Sequence, residues 1–314
     1  MKRISIVIPT YNEEENVVAM SDAIIDQFKK NLPQYDYEII FIDNDSKDNT
    51  RNMIEGLCLV NKKIKAIFNA KNFGQNNSPY YGLCQATGDC AILIAADFQE
   101  PPEMIPEFVK GWEEGYQIVC GIKTSSKESK IMYFLRTCYY KLIRKMSSIE
   151  LFEHFTGLGL YDKSFLDTLR KIDDPAPFLR GVVAELGGHR KEVPYQQQKR
   201  KNGKTNNNWY LLYDIAMLSF TSYTKIGMRF ATIFGFLFSA IGFVVALAYL
   251  LLKIIFWNSF SAGTTPILIG VFLFGSVQLF FIGLLGEYIM NINTRVMNRP
   301  LVIEAKRINF DDNK

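Results

Sequence analysis

The apolar positions of the chain fall into two regimes. Over about the first 200 residues, short apolar runs alternate with segments whose apolar residues recur at helical spacing. The β-rich run 4–8 ends in Pro9, and the run 37–42 ends at Asp43. Residues 64–68 form a third run, 91–95 a fourth that ends near Asp97, and Val119-Cys120-Gly121 a fifth. Between them, 13–30 opens with acidic residues and carries spaced apolar ones, and 75–86 has a helical pattern. Strands alternating with helices predict a mostly parallel sheet with helices on both faces. Ligands of such sheets bind beyond the carboxyl ends of the strands, so the polar residues just after each run are where chemistry is expected.

The last third reads differently. Residues 231–252 carry no charge, a run of about 22 that can cross a hydrocarbon core as a helix. After Lys253, a second uncharged run continues to Gly286 and is broken by a polar turn at Asn258-Ser259-Phe260-Ser261-Ala262-Gly263-Thr264-Thr265-Pro266. This predicts a transmembrane hairpin over 231–290, with spans near 231–256 and 267–289. Lys225 and Arg229 precede it, and Arg295, Arg299, Lys306 and Arg307 follow it. The positive-inside rule then puts both ends in the cytoplasm. The expected organisation is a catalytic domain over 1–208, a juxtamembrane amphipathic helix over 209–230, the hairpin, and a cytoplasmic tail over 291–314. Met1-Lys2-Arg3 leads straight into a strand, so no secretory signal is expected.

Composition narrows the chemistry. A net charge of +4 is too small to argue for nucleic acid. Five cysteines, all before residue 150 and without metal spacing, point to reduced thiols, and two histidines make a multi-histidine metal site improbable. His154 and His189 read as structural or surface groups. Three strand ends are rich in polar groups: Pro9-Thr10-Tyr11-Asn12-Glu13, Asp43-Asn44-Asp45-Ser46-Lys47-Asp48, and Asp97-Phe98-Gln99-Glu100-Pro101-Pro102-Glu103. Carboxylates there can accept bonds from a ribose or a base, and an Asp beside a phosphate can hold a divalent ion.

These segments, with Asn72-Phe73-Gly74, Ala86-Thr87-Gly88-Asp89, Leu179-Arg180-Gly181 and Arg200-Lys201-Asn202-Gly203-Lys204-Thr205, resemble the family 2 inverting glycosyltransferases of the GT-A fold. Gly286-Glu287-Tyr288-Ile289 and Asn298-Arg299-Pro300 extend the resemblance to the membrane-anchored polyprenyl-phosphate glycosyltransferases, relatives of dolichyl-phosphate mannose synthase. The resemblance implies an α/β GT-A nucleotide-sugar domain and transfer of one sugar, UDP-linked, to undecaprenyl phosphate at a bacterial cytoplasmic membrane. Pro9, Tyr11, Glu13, Asp43, Asn72, Asp97 and Gln99 would bind the nucleotide sugar. Asp97 would hold Mg²⁺ or Mn²⁺ and act in catalysis with Arg200. Association into homo-oligomers through the membrane helices is implied by resemblance only.

Two positions depart from the family pattern. Ala95-Ala96-Asp97 stands for Asp-x-Asp, and Thr156-Gly157-Leu158-Gly159-Leu160 stands for Gly-Asp-Phe-Arg-Leu, without its acid and its arginine. Glu100 or water could replace the first lost carboxylate. The second loss matters less for a phosphate acceptor, whose second pKa of roughly 6 leaves it largely dianionic and needing no base. Such an acceptor needs cations. Lys123, Lys127, Lys130, Arg136, Lys141, Arg144 and Lys145 form one basic run with interleaved aromatics, an interfacial helix or a solvated face. Lys199, Arg200, Lys201 and Lys204 form a second around Gly203. Arg136, Lys141, Lys199, Arg200 and Lys204 are the candidates for acceptor phosphate and membrane. Glu287, at the end of the second span, could pair with Arg295 or lie among headgroups. Two rival readings stay open. One is a transferase that extends a polysaccharide or lipid-linked oligosaccharide, and would need a base. The other is a catalytically weak membrane subunit that binds nucleotide or lipid.

Overall fold

Ile4, Ile6 and Ile8 point to one side of the first strand and Val7 to the other, and all four are fully buried. That two-sided burial recurs at Ile39 and Phe41 against Ile40 and Ile42. It explains why the strands read as unbroken apolar runs. The computed structural model describes residues 1–125, 154–198, 213, 217–218, 220–222, 226–255 and 264–310. Eight strands form one sheet: β1 (Arg3–Thr10), β2 (Asp36–Asp43), β3 (Ile64–Asn69), β4 (Cys90–Leu93), β5 (Ile118–Ser125), β6 (Phe155–Asp162), β7 (Arg190–Gln196) and β8 (Glu304–Ile308). Their order is β7-β5-β6-β4-β1-β2-β3-β8. The pairings of β1 with β2 and β4, of β2 with β3 and of β5 with β7 are parallel, and β6 and β8 run antiparallel to their neighbours.

Helices cover both faces. On the face of Ile4 lie α1 (Val17–Asn31), α2 (Thr50–Val60) and α4 (Ile105–Glu113), which bury Met20, Ile24, Ile54 and Phe108 there. On the face of Val7 lie α3 (Gly74–Gln85), α5 (Lys163–Lys171) and α6 (Leu179–Leu186), with Tyr80, Leu83, Leu166 and Val183. The mostly parallel, three-layer expectation therefore holds. One boundary moved for a physical reason. The first helix begins at Val17, not at 13, because the amides of Glu13 and Glu14 bond to Thr50 Oγ1 (2.8 Å) and Asp48 Oδ2 (3.2 Å) of the neighbouring loop.

The Thr87-Gly88-Asp89 segment, singled out by sequence, is structural and lies at the end of the sheet away from the strand-end loops. Thr87 donates through N (2.7 Å) and Oγ1 (2.9 Å) to the buried Glu38, which also pairs with Lys65 at 2.6 Å. Asp89 accepts from the Arg3 amide at 2.8 Å. A Cβ on Gly88 would lie 2.7 Å from the Arg3 carbonyl oxygen. Gly88→Ala is therefore expected to destabilise the fold by about 2 kcal/mol or more, read as a lower denaturant midpoint.

Two long helices follow, α7 (Ile226–Ile255) and α8 (Thr264–Val296), touching through an edge-on Phe238–Phe274 pair at 5.9 Å. Within α8, Leu273–Val296 is long and apolar enough to cross a membrane, and among the described residues it is the one segment that meets that measure. Arg229–Val245 is a shorter apolar stretch. Residues 256–263, most of the turn expected between the spans, and most of 209–225 lie outside the described residues. Glu287, Asn291 and Arg295 share one face of α8 at four-residue spacing. Glu287 accepts from Tyr213 Oη (2.8 Å), Asn291 donates to Thr221 Oγ1 (2.6 Å), and Arg295 pairs with Asp174 (3.2 Å). A Glu287–Arg295 pair, one of the two readings open for Glu287, is thus not formed. Two helical turns separate the residues by about 12 Å, and each finds a nearer partner on another segment.

The chain does not trail away after α8. Asn298 donates to Asp173, Asn77 to the Leu301 carbonyl, and the Ala70 amide to the Ile303 carbonyl. β8 then pairs antiparallel with β3 along the sheet edge, and Tyr81 donates to Glu304 at 2.9 Å.

Candidate active site

β2 and β3 lie on one side of β1 and β4 on the other, so the chain reverses its direction of winding at β1. A ligand crevice is expected at such a reversal, between the ends of β1 and β4, where Pro9, Tyr11 and Asp97 emerge. Each of three loops passes through a left-handed residue: Asn12 (φ 56°) after β1, Asp45 (φ 68°) after β2 and Phe98 (φ 59°) after β4. Left-handed backbone at a bulky, buried phenylalanine is uncommon, and marks a turn that its surroundings hold in place.

The loops after β1, β2 and β3 form one hydrogen-bonded unit. The Asn12 amide donates to Ser46 Oγ (2.9 Å), and the Lys47 amide to Asn12 Oδ1 (2.8 Å). Asn44 donates to Asn72 Oδ1 (2.9 Å) and accepts from the Phe73 amide (2.9 Å) and Asn69 Nδ2 (3.0 Å). Asp43 is fully buried, and its carboxylate accepts from the Ser46 amide and hydroxyl and from Arg51 Nε at 2.7 Å. It therefore acts on the site by holding this loop. Arg51, unremarked in the sequence, also donates to the Asn69 carbonyl (2.6 Å) and approaches Asp45 (3.4 Å). A cation just inside a helix that follows an acid-rich loop was the signal that could have found it. Arg51→Ala leaves the Asp43 charge buried without its cation. With Arg51 31% exposed, the expected loss is about 2 kcal/mol, below the roughly 3–5 of a fully buried pair, and urea denaturation measures it.

A second unit surrounds Asp97. Asp97 is partly exposed, and its Oδ1 accepts from the Gln99 amide at 3.1 Å. Glu100 turns back beneath it. Its Oε2 accepts from the Ala95 amide (2.9 Å) and its Oε1 from Thr156 Oγ1 (3.1 Å). Burial first, with the Asp97 charge adding to it, pushes the Glu100 carboxyl up to about 7, against the two hydrogen bonds. Burial, then the Glu100 charge, likewise raises the phenol of Tyr195 on β7. Gln99 Oε1 accepts from Gln197 Nε2 (3.1 Å), and the Gln99 carbonyl from the Gln198 amide (3.1 Å).

Pro9, Tyr11, Glu13 and Gln99 are partly exposed at this edge, Asn72 is exposed, and Asp43 lies below them. Arg136, Lys141, Lys199, Arg200 and Lys204 lie outside the described residues. The chain enters the second basic run directly after Gln198, beside the Asp97 turn. The departures at 157 and 159 are built into the backbone. Gly157 has a φ of 105°, and a Cβ on Gly159 would lie 2.5 Å from the Val119 carbonyl oxygen of β5. Cys58, Cys84, Cys90 and Cys120 are unpaired thiols, and Cys138 lies outside the described residues.

Residues 5–170 match the family described as Glycosyl transferase family 2. The chain is 31% identical over 310 residues to a putative glycosyltransferase, CsbB, of Bacillus subtilis (98% of this chain, 93% of that one). It is 29% identical over 305 residues to an SfII prophage-derived bactoprenol glucosyl transferase of Shigella flexneri (97% and 98%). A glucosyl-3-phosphoglycerate synthase of Mycobacterium tuberculosis, solved with UDP, shares the fold at a TM-score of 0.50 and 16% identity, over 70% of this chain and 78% of that one. With a match over more than half its length, the chain belongs to glycosyl transferase family 2.

Proposed function

We propose that the protein moves one sugar from a UDP-linked donor to a polyprenyl phosphate, undecaprenyl phosphate, with inversion at the anomeric carbon. The observation that carries this reading is the end-to-end likeness to a bactoprenol glucosyl transferase, which takes in the long C-terminal helices as well as the sheet. Pro9, Tyr11, Glu13, Asn72 and Gln99 line the donor pocket, and Asp43 shapes it through its loop. Asp97 would hold a divalent ion beside the diphosphate. Its partly exposed carboxylate suits an ion shared with a substrate, and among the described residues no three His, Cys, Asp or Glu side chains gather into a closed cage. Mg²⁺ binds in this way, through one or two carboxylates plus phosphate oxygens, and Mn²⁺ takes similar ligands. Bound there, the ion would neutralise charge on the departing nucleotide.

The acceptor phosphate attacks as a dianion, so no side-chain base is required where Gly157 stands. The protein's task is to align two anionic partners and screen their repulsion. Arg200, with Lys199 and Lys204, does so at the acceptor phosphate, and Arg136 and Lys141 do so at the membrane. The adjacency of Gln198 to the Asp97 turn supports the first assignment. The two long helices span as a hairpin, with residues 1–208 on the cytoplasmic face, as the basic flanks favour.

The test supplies purified protein in detergent with undecaprenyl phosphate, Mg²⁺ or Mn²⁺ and a panel of labelled UDP-sugars, followed by lipid extraction. Label in a lipid monophosphate sugar from one donor, lost on adding EDTA, is the expected result. Ala95 and Gly157 favour a second reading, a nucleotide-binding membrane subunit. UDP binding without turnover of any donor would decide for it.

A further inference from the structure

Glu100 bonds both to the chain just before the Asp97 turn and to β6. Its Oε2 takes the Ala95 amide just beyond β4, and its Oε1 takes Thr156 Oγ1 near the start of β6. The side chain that makes this bridge is 9% exposed, with buried Tyr195 of β7 nearby. Between the two ends of the bridge the backbone passes through left-handed Phe98, a conformation that relaxes unless both sides are tied. Asp97 sits at the apex, and its Oδ1 accepts from the Gln99 amide within the turn. Glu100 on one side and the Gln99 contacts with Gln197 and Gln198 on the other tie the turn to its surroundings.

We propose that Glu100 is a positioning residue: its bridge from Ala95 to Thr156 sets the height and direction of Asp97, and so the metal-dependent share of donor binding. This rests on the donor and metal reading given above. A glutamine at 100 keeps the bridge, because its carbonyl accepts from Ala95 while its amide donates to Thr156 Oγ1. An alanine removes both bonds.

The experiment uses the full chain in detergent and the variants E100A, E100Q and T156V. Hydrogen exchange of the peptide over 94–101 reads the bridge without any ligand, and calorimetric titration with UDP, in Mn²⁺ and in EDTA, reads its consequence. In E100A the Ala95 amide is expected to exchange at least about 10-fold faster, and UDP affinity in Mn²⁺ to fall about 10- to 100-fold, with less than about 3-fold change in EDTA. E100Q should stay within about 3-fold of the parent in every measure, and T156V should move the same way as E100A by a smaller factor. Unchanged exchange in both E100A and T156V overturns the bridge. Equal losses in E100A and E100Q overturn it too, by making the charge the operative property. If E100A does not fold, T156V alone decides. Failure of the parent to bind UDP removes the donor reading instead, and the exchange result then decides the bridge by itself.

Discussion

Asp97→Asn is expected to lower sugar transfer at least about 100-fold, the size of effect seen when one preorganised group that meets developing charge is removed. The substitution is nearly isosteric, and the amide oxygen can still accept from the Gln99 N–H, so the turn keeps its shape. Melting temperature should therefore stay within a few degrees of the parent, while activity in Mg²⁺ or Mn²⁺ collapses. The loss should fall mainly on turnover and on metal-dependent donor affinity, with UDP binding in EDTA little changed. Activity within a few-fold of the parent would remove Asp97 from the metal and throw weight onto Glu100 as a direct ligand. Because Ala95 stands where the family pattern has its first carboxylate, Asp97 is the one acid of that pair left to lose.

The largest expected effect on stability comes from restoring a residue that the family pattern carries. Gly159→Arg is expected to cost about 3 kcal/mol or more, read from denaturant unfolding. The obstacle is backbone: a Cβ there meets the Val119 carbonyl oxygen at 2.5 Å, and β5 and β6 are paired at that point, Cys120 opposite Gly159. Gly159→Ala should already show most of the loss, because the Cβ and not the guanidinium makes the clash. Gly157→Asp tests the companion position differently. Its space is open, with Leu93 and Leu179 at 3.7 Å, but its φ of 105° disfavours any side chain, so a smaller loss of about 1 to 2 kcal/mol is expected. An acid placed there should bring no gain in transfer to a phosphate acceptor that is already ionised.

The parallel strands were legible because burial on two faces makes them continuous apolar runs, each stopped by the polar residue that becomes the site. Asp97 and Tyr11 could be placed in this way without coordinates. Glu100 could not, since its partner Thr156 lies 56 residues away and nothing local marks the contact. Arg51 was hidden for a similar reason: its cation serves Asp43 and the Asn69 carbonyl, which only the fold brings together. β7 opens with Arg-Lys-Glu and carries a proline, and β8 is Glu-Ala-Lys-Arg-Ile, so neither has the apolar signature of a central strand. Both are edge strands, where charged residues are the rule. The basic runs at 123–145 and 199–204 were readable as charge; Lys123 lies buried on β5 and not on an interfacial helix, and the other cations lie outside the described residues.

β8 has a consequence for how the molecule comes into being. Its partner β3 is made early and β8 last, with both long helices between them in the chain. Throughout synthesis the Ile64–Asn69 edge stays unpaired, and the loop that runs from Ala70 towards Gly74 lacks its outer support. Only when both long helices have been made can Glu304–Ile308 seal the sheet. A chain that stops short of β8 therefore leaves an open edge on β3. Completion of the sheet waits on five residues that follow both long helices.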